Sequence, residues 1–315
     1  MTKLNKPIKS KIGGQALIEG IMMRGLDKTS MAVRLPNGEI DVEKWDSGDL
    51  VHPKWYRKIP LVRGCVNMVE SLIVGYKCLM KSAEKSIPDD EEEEEPSKFE
   101  QKIESIFGDK LFKIVGTIGT ILGVVLALLL FMYVPMLIVK GISYLVPLGG
   151  WKTVIEGIIK IIIFILYLWG VSRLKDIRRT FEYHGAEHKS IACYEAGEEL
   201  TVENIKKYRR FHPRCGTSFL LIVLVISILV FSVVTWNSML IRILLKIALL
   251  PVVVGISYEI IRIAGRYDNI VTRIISAPGL WLQRLTTREP DASQIEVAIA
   301  ALKEVLPEDR DVDRW

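Results

Sequence analysis

Apolar residues in this chain are gathered into long uninterrupted blocks. Between Lys113 and Lys140 lie 26 residues without a charge, and between Arg214 and Arg242 lie 27. A helix rises about 1.5 Å per residue, so about 20 residues cross the hydrocarbon core of a bilayer, and both blocks are long enough. Two further blocks carry isolated charges. Val154 to Ser172 contains Glu156 and Lys160 one helical turn apart near its start, and Ile243 to Ile261 contains Lys246 near one end and Glu259 near the other. A charge at the centre of an inserted helix costs about 2.5–3.5 kcal/mol, but off-centre charges can pair or snorkel. The pattern predicts four transmembrane helices.

The polar stretches have patterns of their own. Met31 to Leu35 and Glu39 to Lys44 alternate in polarity around Pro36-Asn37-Gly38, which predicts a β-hairpin. From Leu61 to Met80, Val62, Val66, Val69, Ile73, Tyr76 and Met80 recur at helical spacing, while Arg63, Glu70 and Lys77 recur every seventh residue. That is an amphipathic helix lying on the bilayer or packed along the bundle. Asp89 to Glu95 is a run of seven acids closed by Pro96, read as a solvated linker. Gly13 to Gly25 is glycine-rich but matches neither a Walker loop nor GxGxxG, so it predicts tight turns or close backbone approach rather than phosphate binding. Near the C-terminus, Ile270 to Leu285 has the interfacial pattern of Trp281 with Arg273 and Arg284. A last helix is expected to open at Ser293, with Glu296 completing a capping box, and to close at Pro307. Its stripe of Ile295, Ile299, Leu302 and Leu306 is expected to dock on the N-terminal region.

The fold class expected is therefore mainly α: a polytopic membrane protein of four transmembrane helices with a small mixed α/β cytoplasmic N-terminal region. The segments read as 1–87 (hairpin and amphipathic helix), 88–110 (acidic linker), 111–175 (helices 1 and 2), 176–215 (a loop), 216–262 (helices 3 and 4) and 263–315 (C-terminal tail). Half of the 315 residues are hydrophobic although a quarter are charged, which fits a membrane protein and excludes a disordered chain or a disulfide-stapled secreted domain. The four cysteines show no CxxC pair and read as free thiols in a reducing compartment. The lysine-rich start lacks an apolar core, so no cleavable signal peptide is expected. Ten Lys and Arg lie between Arg173 and Arg214, against Lys152 alone between Gly141 and Thr153. The positive-inside rule then puts both termini and the central loop in the cytoplasm of a multi-pass cell-membrane protein. The same bias accounts for the net charge of +5, so no specific nucleic-acid binding is inferred.

Candidate chemistry sits in the central loop. Three of the four histidines fall between positions 184 and 212, in Tyr183-His184-Gly185-Ala186-Glu187-His188-Lys189 and in His212-Pro213-Arg214-Cys215. On a helix His184 and His188 share one face, which suits two imidazoles on one tetrahedral zinc ion. Glu187 completes H-x-x-E-H, the inverted zincin order in which the glutamate is general base. Gly185 weakens that helix by about 1 kcal/mol. His212 and Cys215 are the candidates for further ligands, with Glu195 and Glu259 as carboxylate options. Against this stand ordinary interfacial histidines, a helix-capping His212 and a small buried hydrophobe at Cys215.

These segments, with Gly13 to Gly25 and His212 to Thr217, resemble the YqhQ-like family of bacterial membrane proteins over most of the chain. The family is described as predicted metal-dependent enzymes of unknown biochemical function, so the resemblance implies a metal site without a substrate or catalytic residue. Three readings follow. The first is a zinc-dependent hydrolase at the membrane face, with His184, His188 and His212 or Cys215 as ligands and Glu187 activating water. The second is a non-catalytic scaffold or assembly factor whose basic loop binds a cytoplasmic partner. The third, a transporter, is weakened by the lack of any pattern shared between the two halves. Besides the lipid bilayer, no partner and no oligomeric state is selected by the residues.

Overall fold

A computed structural model describes residues 7–47, 54–87, 111–233 and 239–314. The acidic run at 89–95, and with it the linker expected at 88–110, lies outside the described residues. The chain divides into two compact units, residues 87–164 and the remainder.

In the first of these, α2 (Leu111–Leu128) and α3 (Val134–Leu145) are joined by a π-helical turn at Leu129–Tyr133, and α4 begins within it (Lys152–Val171). The π-turn has a local cause: Pro135 has no N–H to donate back along the helix, and the ladder widens just ahead of it. Glu156 and Lys160 pair at 2.7 Å along α4, as their one-turn spacing predicts.

The larger unit opens with an antiparallel sheet in the order β1 (Gly13–Leu17), β2 (Gly20–Arg24), β3 (Lys28–Arg34), β4 (Ile40–Asp46). The β3–β4 pairing, from Arg34↔Ile40 to Lys28↔Asp46, is the hairpin expected around Pro36-Asn37-Gly38. β1 and β2 replace the glycine turns expected between Gly13 and Gly25. Their sequence does not alternate, because both faces of the sheet are covered and nearly every residue of β2 is buried.

One face, with Leu17, Met22, Met31 and Val33, packs on Cys78 of α1 (Val62–Lys85). The other, with Ile21, Met23 and Ala32, packs on Tyr183, Ala186 and Ile191 of α5 (Lys175–Ala196) and on α10 (Ala292–Val305). The α10 stripe docks as expected, but its cap does not. Asp291 is the N-cap: its Oδ1 accepts from the Gln294 backbone N–H at 2.9 Å, and Gln294 Oε1 accepts from the Asp291 N–H at 3.0 Å. An aspartate outcompetes the serine two positions later because it brings a full charge to the positive end of the helix.

Beside this layered core, α6 (Val202–Lys206) leads to α7 (Gly216–Ser232), α8 (Met239–Arg266) and α9 (Ile270–Thr286). α7 and α8 pack on each other, α9 packs on both, and α1 runs along α8. Gly64 and Gly255 make the last contact possible, since a Cβ at either would lie under 3 Å from Tyr258 or Leu61. Arg63 Nε donates to Glu259 at 2.6 Å across the same seam.

Among the described residues, three helical stretches are long and apolar enough to cross a membrane: Gly116–Leu145, Gly149–Val171 and Leu244–Arg266. α7 is apolar but has only 17 residues. Within the uncharged block between Arg214 and Arg242, α7 ends at Ser232, and Arg242 itself lies within α8.

Candidate metal centre

α5 carries the histidine pair. It is helical throughout, and Gly185 is there for space: a Cβ would fall 2.0 Å from the Arg288 carbonyl oxygen. The glycine therefore lets the chain after α9 lie against α5, where Arg288 N–H donates to Phe181 O at 2.8 Å. That approach brings the Thr286 carbonyl to His184.

His184 and His188 stand one turn apart with ring centroids at 4.4 Å. Each gives its Nδ1–H to a main-chain carbonyl, His184 to Thr286 at 2.8 Å and His188 to Arg210 at 2.6 Å. A carbonyl can only accept, so both rings are fixed with Nε2 as the free nitrogen. The Nε2 of His184 meets Cys215 Sγ at 3.1 Å. Cys215 is the N-cap of α7, and its sulfur also accepts from the Thr217 N–H at 3.5 Å. One ligand atom from each of His184, His188 and Cys215 lies within 4.8 Å of the others, so the three form a group that could hold a metal ion.

The electrostatics agree with a ligand set. Burial would raise the Cys215 thiol, but the charges and hydrogen bonds of His184 and His188 hold it well below its ordinary value. Burial disfavours protonated His184, yet the Cys215 sulfur, with Glu187 and the Thr286 carbonyl, pushes it up to about 9. Each group thus favours the charged form of the other.

His212 is adjacent but turned elsewhere. Its ring centroid is 5.5 Å from that of His188, and its Nε2 accepts from Arg214 Nη2 at 3.1 Å. Burial, with Arg214 and His188, depresses its protonation against the pull of Glu195. Glu195 is paired with Arg214 and accepts from the Ser10 N–H at 2.7 Å, and Glu259 is bound by Arg63, so neither carboxylate joins the three. Of the four ligands expected, the structure brings three together.

Glu187 is buried beside them, its Oε2 without a hydrogen-bond partner. Burial raises its pKa, opposed by the two histidines and by a hydrogen bond from the Gly14 backbone. Gly14 is required there, because a Cβ would lie 2.9 Å from the Glu187 carboxyl carbon. The glycine-rich segment thus adjoins the candidate site, a role its composition only hinted at.

Gln283 of α9 was not foreseen. Fully buried, it accepts from His212 N–H and donates to His212 O, both at 2.7 Å, and donates to Ser218 Oγ at 3.0 Å. This clamp holds the turn that delivers Cys215. A buried glutamine within an apolar helix face was the only signal available.

Together these features define a helical protein with long apolar helices and a largely buried His-His-Cys cluster on a small α/β core. The chain belongs to the family described as "Protein of unknown function (DUF1385)", which matches residues 59–308. It is 34% identical over 295 residues to "Uncharacterized protein YqhQ" of Bacillus subtilis (strain 168), covering 93% of this chain and 92% of that protein. No solved structure matches it.

Proposed function

We propose that this is a multi-pass membrane protein with a zinc centre on its cytoplasmic side and that the centre serves a hydrolase. The observation that carries the reading is the convergence of His184, His188 and Cys215 with both Nδ1 atoms tied to main-chain carbonyls. Two imidazoles and a thiolate are a zinc-type donor set, whereas magnesium and calcium take oxygen. A structural zinc site uses four protein ligands, and a catalytic one uses three and leaves a position open. With His212 committed to Arg214, three remain.

The metal, when bound, supplies Lewis acidity at the open position. Glu187, next to His188 in the chain and short of a partner at Oε2, takes a proton from the attacking water and returns it to the leaving group. Four spans, with α7 as the third, keep the basic segment between Arg173 and Arg214 and both termini on the cytoplasmic face, in line with the positive-inside rule.

The test is cobalt substitution of full-length protein in detergent. Cobalt(II) bound by two histidines and a cysteine is expected to give the visible bands of a four-coordinate site with a sulfur ligand, altered when azide or a hydroxamate is added. Glu187→Gln should keep the bands. A spectrum indifferent to added ligands would show a closed structural centre, and a protein that takes up neither cobalt nor zinc would remove the metal reading altogether.

A further inference from the structure

A cavity of about 660 Å³ lies between the C-terminal end of α8, one face of α9 and the segment from Arg209 to Pro213. Its volume is that of a small-molecule site. Two properties define what would fit. Its walls are mainly apolar, with Phe211, Tyr267, Leu280 and Trp281 among the lining residues. It is also lined by Lys9, Arg209, Arg273 and Arg284 against a single acid, Asp268. Asp268 accepts from Arg273 Nε at 2.7 Å, so that pair is offset and the other three cations give the cavity its sign.

Its position adds a second constraint. Ala264 lies in the last turns of the apolar stretch Leu244–Arg266, and Tyr267 and Asp268 follow directly. The cavity therefore opens where α8 leaves the apolar stretch. α9, which supplies most of one wall, exposes Ile270, Val271, Ile274 and Trp281, with Ile270 at 75%. An exposed apolar strip beside arginines at the end of a span is the pattern of a helix lying in the bilayer interface.

We infer that this cavity binds an anionic glycerophospholipid, with the phosphate diester among Arg209, Arg284 and Lys9 and the upper acyl chain along Phe211, Leu280 and Trp281. A free phosphate would use the cations but leave the apolar wall wet, and a zwitterionic lipid would gain little from the net positive rim. The inference rests on reading α8 as a membrane span and is independent of the metal centre.

The test uses full-length protein, delipidated in detergent and followed by native mass spectrometry during titration with phosphatidylglycerol, phosphatidylcholine or inorganic phosphate. One phosphatidylglycerol is expected per chain, about tenfold tighter than phosphatidylcholine and weakened about tenfold by Arg209→Gln with Arg284→Gln, since each cation near an anionic headgroup contributes roughly a severalfold factor. Should that double variant fail to fold, Arg284→Glu on the exposed side of α9 carries the same expectation. Equal binding of the two lipids, binding unchanged in the variants, or inorganic phosphate competing at the same concentration as lipid would each overturn the assignment. Impermeant maleimide labelling of Leu244→Cys and Ile270→Cys in sealed vesicles, expected from opposite sides, scores the α8 span separately, so loss of that reading is distinguishable from failure of the lipid site.

Discussion

His184 Nε2 lies 3.1 Å from Cys215 Sγ across 31 positions of chain. The contact joins the middle of α5 to the N-cap of α7, and it exists because Gln283 pins the turn before Cys215 and Gly185 admits the chain that orients His184. It also separates ligands from neighbours. His184→Ala, His188→Ala and Cys215→Ser are each expected to lose most of the bound metal, while His212→Ala keeps it, as measured by metal content of purified protein. Equal loss in His212→Ala would restore a four-ligand centre.

Much of this site could be read along the chain and some could not. The four-residue spacing of His184 and His188 is local, so a helix face follows from it directly. Cys215 could be named from its chemistry but not placed, because nothing local closes 31 residues. The β3–β4 hairpin was legible from alternation around Pro36-Asn37-Gly38, whereas β1 and β2 were not, since strands covered on both faces lose their period of two. Gln283 acts through its side-chain amide and Thr286 through its main-chain carbonyl, both on an interior face of α9, and the visible pattern of that helix was the opposite one, with Trp281 and Arg284 exposed.

Gly185→Ala tests the close approach at α5. On an open helix the change would stabilise by about 1 kcal/mol. Here the new methyl meets the Arg288 carbonyl at 2.0 Å, backbone that a side-chain rotation cannot relieve. A net loss of about 1–3 kcal/mol is expected from overpacking. Metal affinity should fall about tenfold with it, because the displaced segment carries the carbonyl that orients His184. An unchanged or raised unfolding midpoint would refute the packing argument.

The start of α10 distinguishes two caps. Asp291→Ala should cost about 1 kcal/mol, the usual loss when an N-cap acceptor is removed, and Ser293→Ala should stay within about 0.5 kcal/mol. Thermal unfolding of the two variants under one condition decides it. The reverse order would return the cap to Ser293.

The pair of Glu195 with Arg214 gives a pH dependence of known sign. Burial would raise the Glu195 carboxyl, but the neighbouring His212 and Arg214 hold it at about 2, below its ordinary 4.5. A depressed carboxylate stabilises the fold fully above its unfolded value and loses that contribution as pH falls from about 4.5 toward about 2. Glu195→Gln removes the negative charge beside the buried Arg214 and leaves the Ser10 N–H an uncharged amide oxygen as its acceptor. At pH 7 it should destabilise by about 3 kcal/mol. The gap to wild type should be constant from about pH 8 to about pH 5 and already narrower at about pH 4, because only the wild type loses a charge there. A gap that stays the same at acidic pH would show that the carboxylate contributes by shape and hydrogen bonding alone, with its charge irrelevant to the fold.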